Sequence, residues 1–576
     1  MALAGTGGNL IIQDGSPRLT GSFSGLDTNA LVEAAVSVKR LPAVRLENKI
    51  TENDAQNAAY GELVTLLDTF EGTLNGLRNP PGISSVASNI FEQKTAFLSA
   101  DSTTEPATLL GVTADNSAAS ATYEIEILQI ATAHKVAGSA VADASAALGV
   151  TETLTVGLAG AAVEDTVDLD ITADLTANDV VAQINAVSET TGVRASVIQV
   201  AEDDFRVVVS AEQTNQEVSL VGTSGATTAG LGLSADNGAT YTDVLELAQP
   251  AQLILDGIGT TIERDSNEIS DILPGVTIDL FKAEPGTTIT VEIEPDLSAV
   301  RQQILDFVEA YNQVKLFLNA QQEINSEGEV SEAALLFGDN TLRSLNFNLG
   351  TDLASLVDNV ADGALATLRD IGIEIGNDNL LSVDESTLDS VLVDRLDEVR
   401  GALGFSFTSD SADVAQVSRT EKLDLGDFTI NVPAGAIDGT NLQVDGAAAF
   451  EVDGNTLRGI EGTAYEGLVL AYSRDTSDAG APAATINIST SLGVAERLFQ
   501  TIRDHTNPED GLITEARERL DAQNSDFAAE IDDIDQRLVL FREAQIAKYA
   551  RLEEVLAQGQ AIADQLSAFL NSGNDN

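Results

Sequence analysis

His134 and His505 are the two imidazoles of the chain, and it contains no cysteine. The missing thiols remove disulfides, thiolate zinc sites and cysteine nucleophiles. Two histidines separated by hundreds of positions leave little for metal binding or a Ser-His-Asp relay. The stretch GSFSG at 21–25 has the outline of a nucleophile elbow, but its central residue is Phe23 and no strand signal precedes it. The acidic clusters AEDDF (201–205) and EIDDIDQ (530–536) lack the alternating aspartates of a calcium loop. The second cluster falls on a helical stripe, where a solvated face is the simpler account. His505 follows Asp504 near an expected helix end and reads as a surface or capping residue. Glycine-rich phosphate loops with the required strand and helix context are missing. These residues make no catalytic constellation, metal site or cofactor cradle, so the expectation is a protein that is not an enzyme and needs no cofactor.

Length and charge bound what else the chain does. At 576 residues it is long enough for about three to five domains. An apolar fraction of 43% is that of globular protein, whereas the formal charge of −61 is extreme. Such charge repels nucleic acid and anionic lipid without specifying a fold. Apolar runs fall short of the ~18 residues that span a bilayer, and the first twenty residues lack a basic region followed by an apolar one. Nucleic acid and membrane insertion are therefore not expected.

The elements with the clearest periodicity lie at the two ends. Asp27 is an N-cap signal for a short helix from Thr28 to about Arg40, with Leu31, Val32, Ala35 and Val38 on one face. Pro42 suits the first turn of a second helix reaching about Leu77. Its apolar positions include Leu46, Ile50, Leu63, Leu67, Phe70 and Leu74, spaced by threes and fours, and Asn53 and Asn57 interrupt the stripe where they would set register. A second stripe, in a helical region from about 507 to 570 with breaks near Gly511 and Gly559, runs Leu520, Phe527, Ile531, Ile534, Leu538, Phe541, Leu552, Leu556, Ile562, Leu566 and Phe569. Neither helix is stable alone with its apolar face in water. The two stripes pair with each other or with copies of themselves; heptads do not name the partner. Residues 1–78 hold six Lys and Arg and residues 497–576 hold eight, out of 30, and four of them, Lys39, Arg40, Arg45 and Lys49, fall within eleven positions.

Between the ends the pattern alternates. The expected fold is α+β and multidomain, with paired helical coiled-coil termini, a helical middle and β-rich inserted domains. Its segments are a flexible tail (1–25), terminal helices (26–78), a connector (79–94), β-rich domains (95–296), a helical domain (297–405), a further β-rich insertion (406–490), a helical connector (491–510) and a final helix (511–576).

The order of motifs resembles the bacterial flagellar filament cap family, also called the flagellar hook-associated protein 2 family. SGLDTNALVEAAVSVKRLPAVRLENKI (24–50) carries the signature positions Ser24, Gly25, Leu26, Asp27, Thr28 and Pro42. YEIEILQIATAHKV (123–136) follows, departing from the family pattern at Ile130 and Thr132, and then INAVSETTGVRASVI (184–198) with FRVVVS (205–210). LILDGIGTTIERDSNEISDILPGVTIDL (253–280) is the most specific stretch. FVEAYNQV (307–314), GDNTLRSL (338–345) and LRDIGIEIGNDNLLSVDESTL (368–388) complete the series, and 420–490 matches least.

The resemblance implies a homo-oligomeric ring of about five or six copies, a plate of β-rich domains above legs built from both termini. It implies a cap at the distal tip of the flagellum that confines exported flagellin while it folds and inserts, so that the filament elongates and the cell swims. Flagellin, hook–filament junction proteins and an export chaperone are the implied partners. The implied location is extracellular, after passage through the flagellar type III export system without a cleaved signal. A secreted adhesin using the β-rich insertions is the alternative reading. Another axial component, such as a junction protein, is a third, and RDSNEISDILPGVT argues against it.

Overall fold

A computed structural model describes residues 9–13, 16–20, 27–79, 89–324, 327–358, 363–420, 423 and 425–572. Signature residues Ser24, Gly25 and Leu26, and most of the expected connector, lie outside the described residues. The helices in chain order are α1 (Thr28–Leu77), α2 (Ala177–Ala186), α3 (Ser188–Thr191), α4 (Ala226–Gly230), α5 (Leu297–Ala320), α6 (Asn340–Ala354), α7 (Glu385–Asp394), α8 (Leu396–Leu403), α9 (Val494–Thr506) and α10 (Leu512–Ser572). The chain divides into two compact units, 83–302 and the remainder.

The 83–302 unit is antiparallel β structure with two cores. A five-stranded sheet runs in the order Ile262–Arg264, Ala251–Leu255, Ala121–Gln129, Thr288–Pro295 and Lys94–Ala100. It packs on a three-stranded sheet through Ile125, Leu253, Ile278 and Val291, all almost wholly buried. The second core gathers α2 and two further sheets around Leu154, Val180, Ile184, Val193 and Leu220. Thr176 and Asp179 close a capping box at the start of α2, which accounts for a helix beginning inside a strand-rich stretch.

The other unit joins the two ends of the chain. α1 and α10 run antiparallel, the pairing of termini that the stripes anticipate. Asp27 caps α1 by accepting from the Ala30 N–H at 3.0 Å. Two helices meeting at Pro42 were expected, but α1 is one helix of 50 residues with Pro42 inside it. An interior proline costs about 3 kcal/mol; seam packing on either side, where Val32 and Ala43 are buried, offsets it. The face assigned to the first turns is also corrected: Val32 is buried, whereas Leu31 and Val38 are exposed. α10 likewise passes through Gly559 without the expected break, while Gly511 does precede its first turn. Residues read as a patternless tail include two paired strands, Asn9–Gln13 and Ser16–Thr20, and the second lies against α10.

α5 and α9 pack on the C-terminal part of α1, and α6 packs on α9. Phe70 of α1 stacks on Phe307 of α5 with ring centroids 5.8 Å apart and meets Tyr311 edge-on at 5.9 Å. Leu498, Phe499 and Ile502 of α9 are buried in the same region. His505, read as a surface or capping residue, is instead 1% exposed, with Nδ1 2.8 Å from the Thr501 carbonyl. The last turn of an amphipathic helix has an inner face, and His505 falls on it, one turn beyond Ile502.

Residues 405–492 form one antiparallel eight-stranded sheet. Its first strand, Phe405–Ser409, and its last, Val414–Ser418, are neighbours in sequence but lie at opposite ends of the hydrogen-bonded order. Phe405 and Val414 nonetheless share a single core with Ile430, Phe450 and Leu470, so the sheet curls around its own interior.

Candidate assembly surface: the paired terminal helices

The α1–α10 seam changes character along its length. From Ala59 onward α1 is apolar, first against the start of α10 and then, past Leu512, against α9 and α5, and Leu63, Leu67, Phe70 and Leu74 are each 0% exposed. Burial of side chains this size stabilises by about 1.5–3 kcal/mol each. Leu46 and Ile50, farther from that end, are half-buried. On α10, Leu520, Phe527, Ile531, Ile534 and Phe541 are half-buried and Leu538 is buried.

Polar groups hold the middle of the seam. Asn53 Nδ2 donates to Asn524 Oδ1 at 2.9 Å, and Asn524 Nδ2 donates to Asp54 Oδ1 at 2.7 Å. Asn57 Nδ2 donates to Asp521 Oδ1 at 2.7 Å while its own Oδ1 accepts from Arg517 Nε at 2.6 Å. Asn57 and Asn524 each use donor and acceptor, and Asn53 its donor, in register-specific pairs that a one-turn slip would break.

Beyond Asn53 the contacts become ionic. Arg40 Nε and Nη2 donate to the two carboxylate oxygens of Asp535 at 2.9 and 3.1 Å, and Nη2 also reaches Glu47 Oε1 at 2.7 Å. Hydrogen bonding, to Asp535 first and Glu47 second, raises the Arg40 pKa above its ordinary value. Arg542 of α10 pairs with Glu33 of α1. Lys39 lies 5.0 Å from the Phe541 ring centroid and Lys49 5.3 Å from that of Phe527. Three of the clustered cations thus face α10. The EIDDIDQ stretch is mostly an exposed face, but Asp535 turns into the seam and takes up one of those cations.

The register places Thr28 opposite the region of Lys548, so about 25 residues of α10, or about 37 Å, extend past the start of α1. Leu552, Leu556, Ile562 and Leu566 lie there, 43%, 39%, 64% and 61% exposed. The stripe read from the sequence therefore divides: α1 covers its first part and not its second. The side chain of Phe569 lies outside the described residues. Asp27 caps α1, Thr28 opens it and Pro42 lies in its interior, with Thr28 buried and Pro42 exposed.

Both ends of the chain match models of one family. Residues 24–134 match the flagellar hook-associated protein 2 N-terminus and residues 248–561 its C-terminus. The chain belongs to the flagellar hook-associated protein 2 family. Residues 153–213 match the flagellin hook IN motif, which here spans α2 and the strands beside it. Relatives of similar name include the B-type flagellar hook-associated protein 2 of Pseudomonas aeruginosa, 27% identical over 384 residues, 63% of this chain and 75% of the relative. The flagellar hook-associated protein 2 of Escherichia coli strain K12 is 26% identical over 384 residues, covering 65% and 77%. A crystal structure of flagellar cap protein domains D1–D2–D3 from Escherichia coli aligns with a TM-score of 0.46 at 24% identity, covering 60% of this chain and 89% of that one.

The α1–α10 seam lies within the matched spans, and α10 runs past the end of the second match. Among the described residues no helix is long and apolar enough to cross a membrane, and no group of three or more His, Asp or Glu is placed to hold a metal ion. The geometry is that of a helix-packing surface. Sequence reasoning missed the ionic contacts of Arg40 and Arg542, because their partners lie 495 and 509 positions away. The enrichment of cations at both ends was the available signal.

Proposed function

We propose that this protein forms an oligomeric cap at the distal end of the bacterial flagellar filament, confines exported flagellin there and promotes its folding and insertion. The observation that carries the proposal is the α1–α10 pair: apolar and buried at one end, polar in the middle, with an apolar stripe of α10 left open beyond. Family membership supplies the flagellar setting. A leg of this kind grips a partner through modest contacts and releases it again, as a cap advancing with each added subunit must. The ring is homo-oligomeric, with about five or six copies. Flagellin and the hook–filament junction proteins are its partners outside the cell and an export chaperone inside. It leaves through the flagellar type III export system without a cleaved signal, and the chemistry is non-covalent throughout.

Deletion of the gene, followed by measurement of flagellin in filaments and in the medium, tests this. Bald or stunted cells with soluble flagellin in the medium are expected, reversed by the full chain supplied from a plasmid. Filaments of normal length would contradict the proposal, and normal filaments with lost surface attachment would favour an adhesin.

A further inference from the structure

The curled sheet 405–492 is inserted between α8 and α9 through two glycines that touch. Gly493 N donates to Gly404 O at 2.8 Å. A Cβ on Gly493 would lie 2.2 Å from the Leu403 carbonyl carbon, and one on Gly404 2.9 Å from the Leu77 carbonyl oxygen. The crossing is therefore pressed against the end of α1, where Phe405 N also donates to Arg78 O at 3.0 Å.

A charged cluster sits at this crossing, remote from water. Glu496 is 0% exposed and lies in the first turn of α9. Arg78, the C-cap of α1, reaches Glu496 Oε2 at 3.3 Å with its guanidinium carbon 3.4 Å from the Phe499 ring centroid. Arg419, just after the last strand of the curled order, donates to both carboxylate oxygens of Glu496, at 3.1 and 2.9 Å, and lies 4.2 Å from the Phe405 centroid. Two backbone carbonyls, Asn79 O at 3.1 Å and Thr420 O at 3.2 Å, accept from Arg419, while its buried Nε has no partner among the described residues. Three segments that share no secondary structure thus meet on one carboxylate, each held by a planar group.

Stability alone does not account for the cluster. Two guanidinium groups converge on one buried carboxylate, and buried ion clusters of this kind are often replaced by apolar residues without loss of stability. What charge and planarity provide is direction: forked donors and stacked faces accept few relative orientations. The helix ends agree, with a cation at the C-terminus of α1 and an anion at the N-terminus of α9. We infer that Arg78, Glu496 and Arg419 form a positioning lock that fixes the curled sheet in one orientation on the helical body, so that movement of α1 and α9 carries the sheet with it as a rigid extension. Without the lock, the two-glycine crossing is a swivel.

The chain has no cysteine, so two introduced thiols are uniquely addressable. Spin labels at Asp453→Cys on the sheet and Glu518→Cys on α10, both exposed, report the orientation by pulsed electron paramagnetic resonance on the full chain. A single narrow distance distribution is expected, broadened about twofold or more in Glu496→Gln. Arg419→Lys keeps the charge but not the fork and is expected to broaden it as well, which covers failure of Glu496→Gln to fold. The triple variant Arg78→Met, Arg419→Met, Glu496→Leu is expected to melt at or above the parent temperature yet remain broad. A broad distribution in the parent, or a triple variant as narrow as the parent, overturns the inference.

Discussion

Asn53 of α1 and Asn524 of α10 face each other across the helix seam, joined by a 2.9 Å hydrogen bond that Asp54 extends through Asn524. Replacing Asn53 and Asn57 by Ala removes this register-specific pairing at a net cost of about 1–2 kcal/mol for the set. Hydrogen exchange is expected to show that loss across 28–57, with 63–77 unchanged. Matched leucines, Asn53→Leu with Asn524→Leu, should instead tighten the pair and shorten filaments grown in a fixed time. Unchanged protection and filament length would show that the layer sets nothing.

The ion pairs of Arg40 with Asp535 and of Arg542 with Glu33 are partly exposed, so salt reaches them. At 1 M salt the screening length falls to about 3 Å. The loss of α1–α10 melting temperature in Arg40→Gln is therefore expected at low salt and should disappear at 1 M. A difference independent of salt would mean that Arg40 acts through packing.

Pro42 removes one backbone hydrogen bond from the interior of α1, leaving the Val38 carbonyl without its helical donor. Pro42→Ala should stabilise the helix by up to about 3 kcal/mol. Slower exchange of amides 36–48 would show it, and faster exchange would mean that the proline shapes α1 for its partner.

Acid should loosen the second core of the 83–302 unit in two steps. Burial holds His134 below its ordinary pKa of 6.5, and its Nδ1 accepts from Val218 N at 3.1 Å, a bond that protonation removes. The unfolded chain then binds the proton more readily than the native one, so this contribution is complete above about pH 6.5 and declines below it. Glu152 behaves as an acid held charged: burial works against its carboxylate, but Thr227 and Ser224 donate to it and bring its pKa down to about 2. That contribution, about 2–3 kcal/mol, is present above the ordinary glutamate range and lost as pH falls toward 2. Glu152→Gln should lower stability at pH 7 and flatten the lower step, and His134→Gln the upper one, in denaturant titrations between pH 8 and 2.

Local chemistry made much of this fold legible. Asp27 announced the start of α1 because an N-cap needs only its own side chain and the next turn. The stripes announced a helix pair because burial leaves its period in the sequence. Pro42 misled because local propensity weighs against a helix that tertiary packing sustains. His505 misled because its exposure depends on which face of α9 turns inward. The meeting of Arg78, Arg419 and Glu496 joins positions 418 and 77 apart, and no short-range pattern marks it.

The central claim is that this protein sits at the growing end of the filament. A single cysteine at Asp453→Cys, biotinylated on intact cells and located with streptavidin–gold by electron microscopy, tests that most directly. One cluster of gold at the distal tip of each filament is the expected result. Gold along the shaft, or at the cell-proximal end alone, would contradict it.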